Sequence, residues 1–313
     1  MEGFNLPRGL IVDLITPIME DGSIDGRGLG QHLDLLLPHV QGVLVLSPII
    51  GEGIRLSIEQ KIDLFDKTLV VVRGAAPVLV WITGQSSEET IEILDSLKKQ
   101  KGERKYNGPV FWVDTPLYYH SNRGLSEHYT ELCSLIDESL ILHNAPNLIQ
   151  SLEKSLKRKN IRTSILKELV LNKKIKGLIF SGSLDRVYNY GKAVRSRSDF
   201  KIFDGDESRF LDYPGHNGVV SAGANIACME WAKITSSSLN PEDENRYPDQ
   251  QKQTWEVWSY LSYLNTAYAE NSVDIIKKVL EEREIINGPV KCEDENSLTV
   301  AREIIEVSTG YKA

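Results

Sequence analysis

Eight short apolar runs alternate with longer amphipathic stretches over the first three quarters of the chain, and this alternation most restricts what the chain can become. The runs are Gly9 to Ile15, Gly42 to Leu46, Val78 to Ile82, Val110 to Val113, Leu140 to Leu142, Ile175 to Phe180, Lys201 to Phe203 and Gly218 to Ser221. Most are continuously apolar rather than alternating, as expected of strands covered on both faces of a parallel sheet. The stretches between them carry helical signals. Leu29, His32, Leu33, Leu36 and Leu37 form one stripe, and Ser57 to Gln60 and Ser86 to Glu89 read as capping boxes that open helices. Eight βα units within about 230 residues predict a (β/α)8 TIM barrel. An open doubly wound sheet is the competing arrangement.

After Ala232 the pattern changes. Ser236-Ser237-Ser238, Asn240-Pro241 and Glu242-Asp243-Glu244 read as a surface connection, and Asp249 to Val307 is helical in period with no strand run. The expected organisation is a barrel over 1–235 and a C-terminal helical domain over 236–313. At 313 residues the chain is long enough for a large barrel with a well-formed core. Lys plus Arg total 36 against 44 Asp plus Glu, a net charge of −8 with no basic block. That balance argues against nucleic acid or an anionic membrane as partner. No apolar run approaches the roughly 18 residues of a membrane-spanning helix, and Met1 to Arg8 has no secretory-signal pattern. Three scattered cysteines, Cys133, Cys228 and Cys292, suit a reducing cytoplasm and neither a disulfide scaffold nor a zinc cluster.

In a TIM barrel the chemistry sits at the C-terminal ends of the strands. Here those ends lead into Thr16-Pro17, Gly51-Glu52, Thr115-Pro116-Leu117-Tyr118-Tyr119, His143-Asn144-Ala145-Pro146, Gly177-Leu178-Ile179-Phe180-Ser181, Asp204-Gly205-Asp206-Glu207, and Gly218-Val219-Val220-Ser221 followed by Asn225. In this order they resemble the dihydrodipicolinate synthase / N-acetylneuraminate lyase family over roughly residues 9 to 232, and more weakly at Gly288-Pro289-Val290. The resemblance implies a (β/α)8 barrel with C-terminal helices, assembled as a homodimer or homotetramer, that acts on keto or sugar acids. It also implies class I aldolase chemistry. A strand-six lysine forms a Schiff base with pyruvate, a strand-five tyrosine relays protons, and hydroxyls after strand two hold the pyruvate carboxylate. No cofactor is implied.

This sequence departs from that pattern at each of those places. Ile179 occupies the lysine position, His143 the tyrosine position, and Ile49 and Ile50 the two threonine positions before Gly51-Glu52. Lys176 lies an odd three residues before Ile179, so on a strand it faces the other way. Lys201 reads as a strand-start group. Asp13 stands on strand one where the family has a small residue. Asp13, His143 and Tyr118 are therefore the candidate catalytic residues, and Gly51, Glu52, Ile49, Ile50, Ile179, Gly205 and Val220 the candidate binding residues. Two ligands, Asp13 and His143, fall short of a metal site, and the two side chains could simply hydrogen-bond each other. Asp206 and Glu207 read as capping or pairing groups at the rim. Two functional readings stay open. One is a homologue that has lost Schiff-base chemistry, a pseudoenzyme or small-molecule-binding protein. The other is a lyase or hydratase working on a keto or sugar acid by acid–base chemistry from Asp13, His143 and Tyr118.

Overall fold

The computed structural model describes residues 4–152, 158–239, 249–287 and 295–310. The connection at 240–248, Gly288-Pro289-Val290 and Cys292 lie outside them. The strands are β1 Gly9–Asp13, β2 Gly42–Val45, β3 Val78–Trp81, β4 Val110–Asp114, β5 Ser139–Asn144, β6 Ile175–Phe180, β7 Lys201–Asp204 and β8 Gly218–Ser221. They pair in parallel in sequence order and close with β8 against β1. The fold is a (β/α)8 TIM barrel with additional C-terminal helices.

The helices up to the eighth strand are α1 Gly26–Leu36, α2 Ile58–Val72, α3 Ser87–Glu103, α4 Pro116–Tyr119, α5 Leu125–Ser134, α6 Pro146–Gln150, α7 Thr163–Leu169, α8 Leu184–Val194 and α9 Glu207–Asp212. A 3₁₀ turn at Gly223–Asn225 and α10 Cys228–Leu239 complete the eighth unit, and α10 packs on β1 and β8. It runs through the position at which the sequence places the start of the C-terminal domain. Beyond it lie α11 Asp249–Tyr268, α12 Ser272–Glu282 and α13 Glu295–Gly310.

Both faces of the strands are buried, as their unbroken apolar composition requires. The inward set can be read from register. Ile11 pairs with Gly42 and Val43 with Val78, and a Cβ on Gly42 would sit 3.3 Å from Leu79 and 3.4 Å from Ile11. Residues in phase with these therefore face the axis: Asp13, Leu44, Trp81, His143, Ile179, Phe203 and Val220. The alternate set faces the helices. Trp112 meets Phe65 of α2, and Asp114 accepts from Tyr129 of α5 at 2.7 Å. At the β8–β1 seam, Gly218 has φ +141° and any Cβ there would come 1.8 Å from the Gly9 carbonyl, so only glycine closes the barrel at this point.

The first capping box forms in full. Ser57 Oγ accepts from Gln60 N, Gln60 Oε1 accepts from Ser57 N, and Gln60 Nε2 also reaches the Gly22 carbonyl at 2.7 Å. The second forms by half. Ser86 accepts from Glu89 N at 3.2 Å, but the Glu89 carboxylate takes Gln85 N at 2.7 Å instead of the cap's own amide. The C-terminal helices dock at separate points. Trp258 Nε1 donates to the Leu211 carbonyl at 3.0 Å, Arg283 to the Ile226 carbonyl at 2.7 Å, and buried Lys277 of α12 pairs with Glu52 in the loop after β2.

Candidate active site at the barrel mouth

The site is built around the end of β1. Asn225, in the 3₁₀ turn after β8, donates Nδ2 to the Asp13 carbonyl at 2.7 Å. Its Oδ1 accepts from Ile15 N at 3.3 Å and faces His32 Nε2 of α1 at 2.9 Å. Because Asn225 offers an acceptor here, His32 carries its proton on Nε2. The His32 Nδ1 is then a buried acceptor with no partner among the described residues. Burial pulls the pKa of His32 from 6.5 down to about 4. These contacts fix the backbone from which the Asp13 side chain projects.

The Asp13 carboxyl faces the side chain of Ser47, in the loop after β2, which favours its ionised form. Ser47 Oγ in turn accepts Gly51 N at 2.8 Å, and the Gly51 carbonyl accepts Thr16 Oγ1 at 2.8 Å. The loop is therefore laced to the end of β1. Asp13 Oδ1 is buried and receives no donor from any described residue, although the residue as a whole is partly open to the mouth. Burial raises the Asp13 pKa from 3.8 to about 7, with Ser47 opposing and the nearby Glu207 charge adding. Glu207 is itself held hard. Oε1 accepts the Ser221 hydroxyl and Gly223 N (2.8 Å), and Oε2 accepts the Tyr268 hydroxyl of α11 at 2.8 Å. Burial raises the Glu207 pKa as well. The α9 cap is supplied by Asp206, whose Oδ1 accepts Arg209 N at 3.1 Å.

Across the barrel, His143 Nδ1 lies 2.9 Å from Thr115 Oγ1. Thr115 Oγ1 already accepts Trp81 Nε1 at 2.8 Å, so its own hydrogen is available to Nδ1, and the imidazole proton then sits on Nε2. Burial lowers the His143 pKa from 6.5 to about 4, so the ring is neutral through the physiological range. Tyr118 is buried beside Trp81, edge-on at 6.4 Å, with its hydroxyl 3.1 Å from Gln85 Nε2. Ile179 is only 1% exposed and pairs in register with His143 on one side and Phe203 on the other. A Cβ on Gly205 would meet Ile179 at 3.1 Å, and Val220 sits beside Ile11. Ile49 is 55% exposed and Ile50 is partly buried, so the first of the pair turns outward from the loop. Glu52 has φ +53° and is committed to Lys277.

The mouth thus brings Asp13 together with Ser47 and Glu207, and His143 together with Thr115 and Trp81. It does not bond Asp13 to His143. Ser47 is missing from the residues the sequence singles out, Thr115 appears there only within the strand-four end segment, and Glu207 reads there only as a rim group. A hydroxyl one residue before Pro48, at the strand-two end, was the available signal for Ser47.

The model of the dihydrodipicolinate synthetase family matches residues 6–290. The chain belongs to this family. Among curated family proteins it is 30% identical over 231 residues to an uncharacterized DapA-like lyase of Thermococcus kodakarensis, covering 70% of this chain and 72% of that one. It is 29% identical over 229 residues to the 4-hydroxy-tetrahydrodipicolinate synthase of Archaeoglobus fulgidus, covering 70% and 71%. A solved monomeric dihydrodipicolinate synthase variant superposes with a TM-score of 0.80 at 21% identity over 98% of both chains, a likeness of fold.

Two lysines near the barrel, Lys176 and Lys277, are engaged in ion pairs. Lys176 donates to Asp199 at 2.8 Å on the helix-facing side, as its odd spacing from Ile179 requires. Lys277 is held by Glu52, and Lys201 opens β7 at the end opposite the mouth. Among the described residues, no group of three or more His, Cys, Asp and Glu side chains is arranged to hold a metal ion, and no helix is long and apolar enough to cross a membrane.

The neutral His143 has a measurable consequence. Its native pKa lies below its ordinary value, so its contribution to stability is complete above pH 6.5 and is lost as pH falls toward 4. His143→Gln should flatten this acid limb, with a relative gain of up to about 2 kcal/mol at pH 5 and little change at pH 8. Urea denaturation of both proteins at the two pH values reads this directly. An equal effect at both would mean the ring is not held neutral.

Proposed function

We propose that this family member does not form an imine with a keto acid, and that its barrel mouth binds a small molecule non-covalently, as a pseudoenzyme or binding homologue. The observation that carries the reading is Ile179. It is a buried aliphatic side chain on the axis-facing side of β6, between His143 and Phe203. A Schiff base needs an amine nucleophile, and an alkyl side chain supplies none. Ile49 and Ile50 support the reading from the loop after β2, since neither can offer a hydroxyl to a substrate carboxylate. Two cations of the neighbouring elements are also committed, Arg209 to Asp204 and Lys277 to Glu52.

Borohydride reduction in the presence of pyruvate, followed by intact-mass measurement, tests this. The expected result is unmodified protein. A reduced pyruvyl adduct on any lysine would overturn the reading.

A second reading has one observation in its favour. Asp13 has a pKa near 7 and an oxygen without a donor, which suits a general base at neutral pH. In that reading Asp13, His143 and Tyr118 serve a lyase or hydratase acting on a keto or sugar acid. Proton exchange at the α-carbon of a bound acid, followed by NMR and abolished in Asp13→Asn, would establish it over simple binding.

The proposed setting is the cytoplasm, as a homodimer or homotetramer. Exposed Leu184 and Tyr188 on α8 and Trp255 on α11 support an interface, and light scattering on the purified chain tests it.

A further inference from the structure

We infer that the Asp13 side of the barrel mouth recognises the ammonium group of a small amine, rather than the carboxylate of an oxo acid. The inference rests on the reading that the mouth binds without imine chemistry, and adds the chemical class of what it binds.

The argument begins with an unfilled acceptor. Asp13 Oδ1 is buried, and no described residue donates to it. A buried carboxylate oxygen without a donor is costly, because its hydration is lost and nothing replaces it. The side chain is not loose. Its backbone carbonyl is held by Asn225, and its carboxyl faces the Ser47 hydroxyl, which is itself fixed by Gly51 N. Register with Leu44 on β2, and of Ile11 with Val220 on β8, turns it toward the axis, and part of the residue is open to the mouth.

The surrounding charges set the sign of the missing group. Glu207 is the other carboxylate facing this point, and its donors are all neutral: Ser221, Gly223 N and Tyr268. His32, on α1 behind Asn225, stays uncharged, and so does His143 across the barrel. Arg209 spends its guanidinium on Asp204 and on the Phe180 and Gly182 carbonyls. Lys277 is paired with Glu52. An incoming carboxylate would therefore meet two carboxylates and no uncommitted cation among these groups. An ammonium would give Oδ1 a charged donor and neutralise a pair of like charges, and charge-assisted bonds of this kind are the stronger ones. The apolar wall of Leu44, Trp81, Ile179 and Val220 suits the carbon skeleton behind such a group.

The pH dependence follows from the same arrangement. An ammonium binds the ionised form of Asp13, so affinity should rise from pH 6 to pH 8, through the Asp13 pKa of about 7. A carboxylate ligand would show the opposite slope.

The test is isothermal titration and thermal shift on the full chain, with ethanolamine and n-butylamine as probes. Ethylene glycol, n-butanol and pyruvate are the uncharged and anionic comparators. Binding by the amines, tighter at pH 8 than at pH 6 and weakened at least about tenfold by Asp13→Asn, is the expected result. Ser47→Ala, which removes the hydroxyl that faces the carboxyl, should weaken it less and keep the pH slope. Stabilisation by pyruvate in preference to the amines would overturn the inference. So would equal effects of amines and alcohols, amine binding that survives Asp13→Asn, or no amine response at all. The borohydride experiment judges the underlying reading separately. An adduct there sinks the non-covalent reading whatever the amines do, and a clean protein with no amine response sinks only the ligand class.

Discussion

Arg209→Met is expected to lower the unfolding free energy by roughly 3–5 kcal/mol, a large fraction of the stability of an ordinary domain. Arg209 is 9% exposed and Asp204, its partner at the end of β7, is 3% exposed. The guanidinium donates to both Asp204 oxygens, at 2.9 and 2.5 Å, to the Phe180 carbonyl at 2.7 Å and to the Gly182 carbonyl, and it lies over the Phe180 ring with 5.2 Å to the centroid. Methionine keeps the packing volume and removes every donor. Asp204 would then be a buried charge without a counter-ion, and burial already raises its pKa even with Arg209 opposing. Arg209→Lys should recover only part of the loss, since one ammonium cannot reach a carboxylate and two separate carbonyls together. The double variant Arg209→Met/Asp204→Leu should be less damaged than Arg209→Met alone, because it removes the stranded charge. Urea denaturation of the three variants decides it. A loss below about 1 kcal/mol in Arg209→Met would mean that water reaches Asp204 and that the pair counts for no more than a surface one.

Much of the barrel is legible in the order of residues because its strands are apolar on both sides. β6 and β8 begin and end where the apolar runs do. The misjudged ends have polar or non-strand causes. β5 reads as Leu140 to Leu142 but extends over Ser139–Asn144, because His143 and Asn144 interrupt the apolar run while still pairing with Ile179 and Phe180. β1 reads on to Ile15 but stops at Asp13, since Ile15 N is taken by the Asn225 side chain and not by a neighbouring strand. The Ser86 box forms by half because Glu89 finds a nearer amide at Gln85. Within the site, the flanks of the family motif locate Ile179, His143 and Asp13 as departures. What those departures touch is not written locally. Asp13 meets Ser47 and Glu207 across three separate βα units, and His32, which sits on an apolar stripe like a core residue, has its partner Asn225 193 residues away. Only closure of the barrel brings such groups together, and that is why a pairing of Asp13 with His143 could be imagined from the sequence and is not what the fold builds.

Asp13→Asn is expected to stabilise the protein, by a gain that is absent near pH 4, grows as pH rises and is complete above about pH 7. The sign follows from linkage. The native carboxyl has a pKa near 7 against 3.8 for the ordinary group, so the folded state holds its proton more tightly than the unfolded chain. Below about pH 4 both states are protonated and the residue carries no penalty. Between about pH 4 and 7 the unfolded chain releases the proton first, and stability declines as pH rises. Above 7 the full penalty applies. The shift corresponds to about 4 kcal/mol at most, and the partly open mouth reduces it, so a gain of roughly 2–4 kcal/mol is expected at pH 8. At pH 4 the variant should match the parent. Asparagine keeps the shape and the contact with Ser47 while removing the charge that burial and Glu207 oppose. Chemical denaturation at the two pH values measures the difference. A variant destabilised equally at both would show that the ionised carboxylate supports the fold, and the argument for an unfilled acceptor would fail with it. A gain confined to high pH would mean that the chain retains a group that weakens it at working pH. Such groups concentrate where a ligand or a reaction needs them, because stability alone selects against them. Stability measured without any ligand therefore bears on whether the mouth of this barrel is a drifted remnant or a working site.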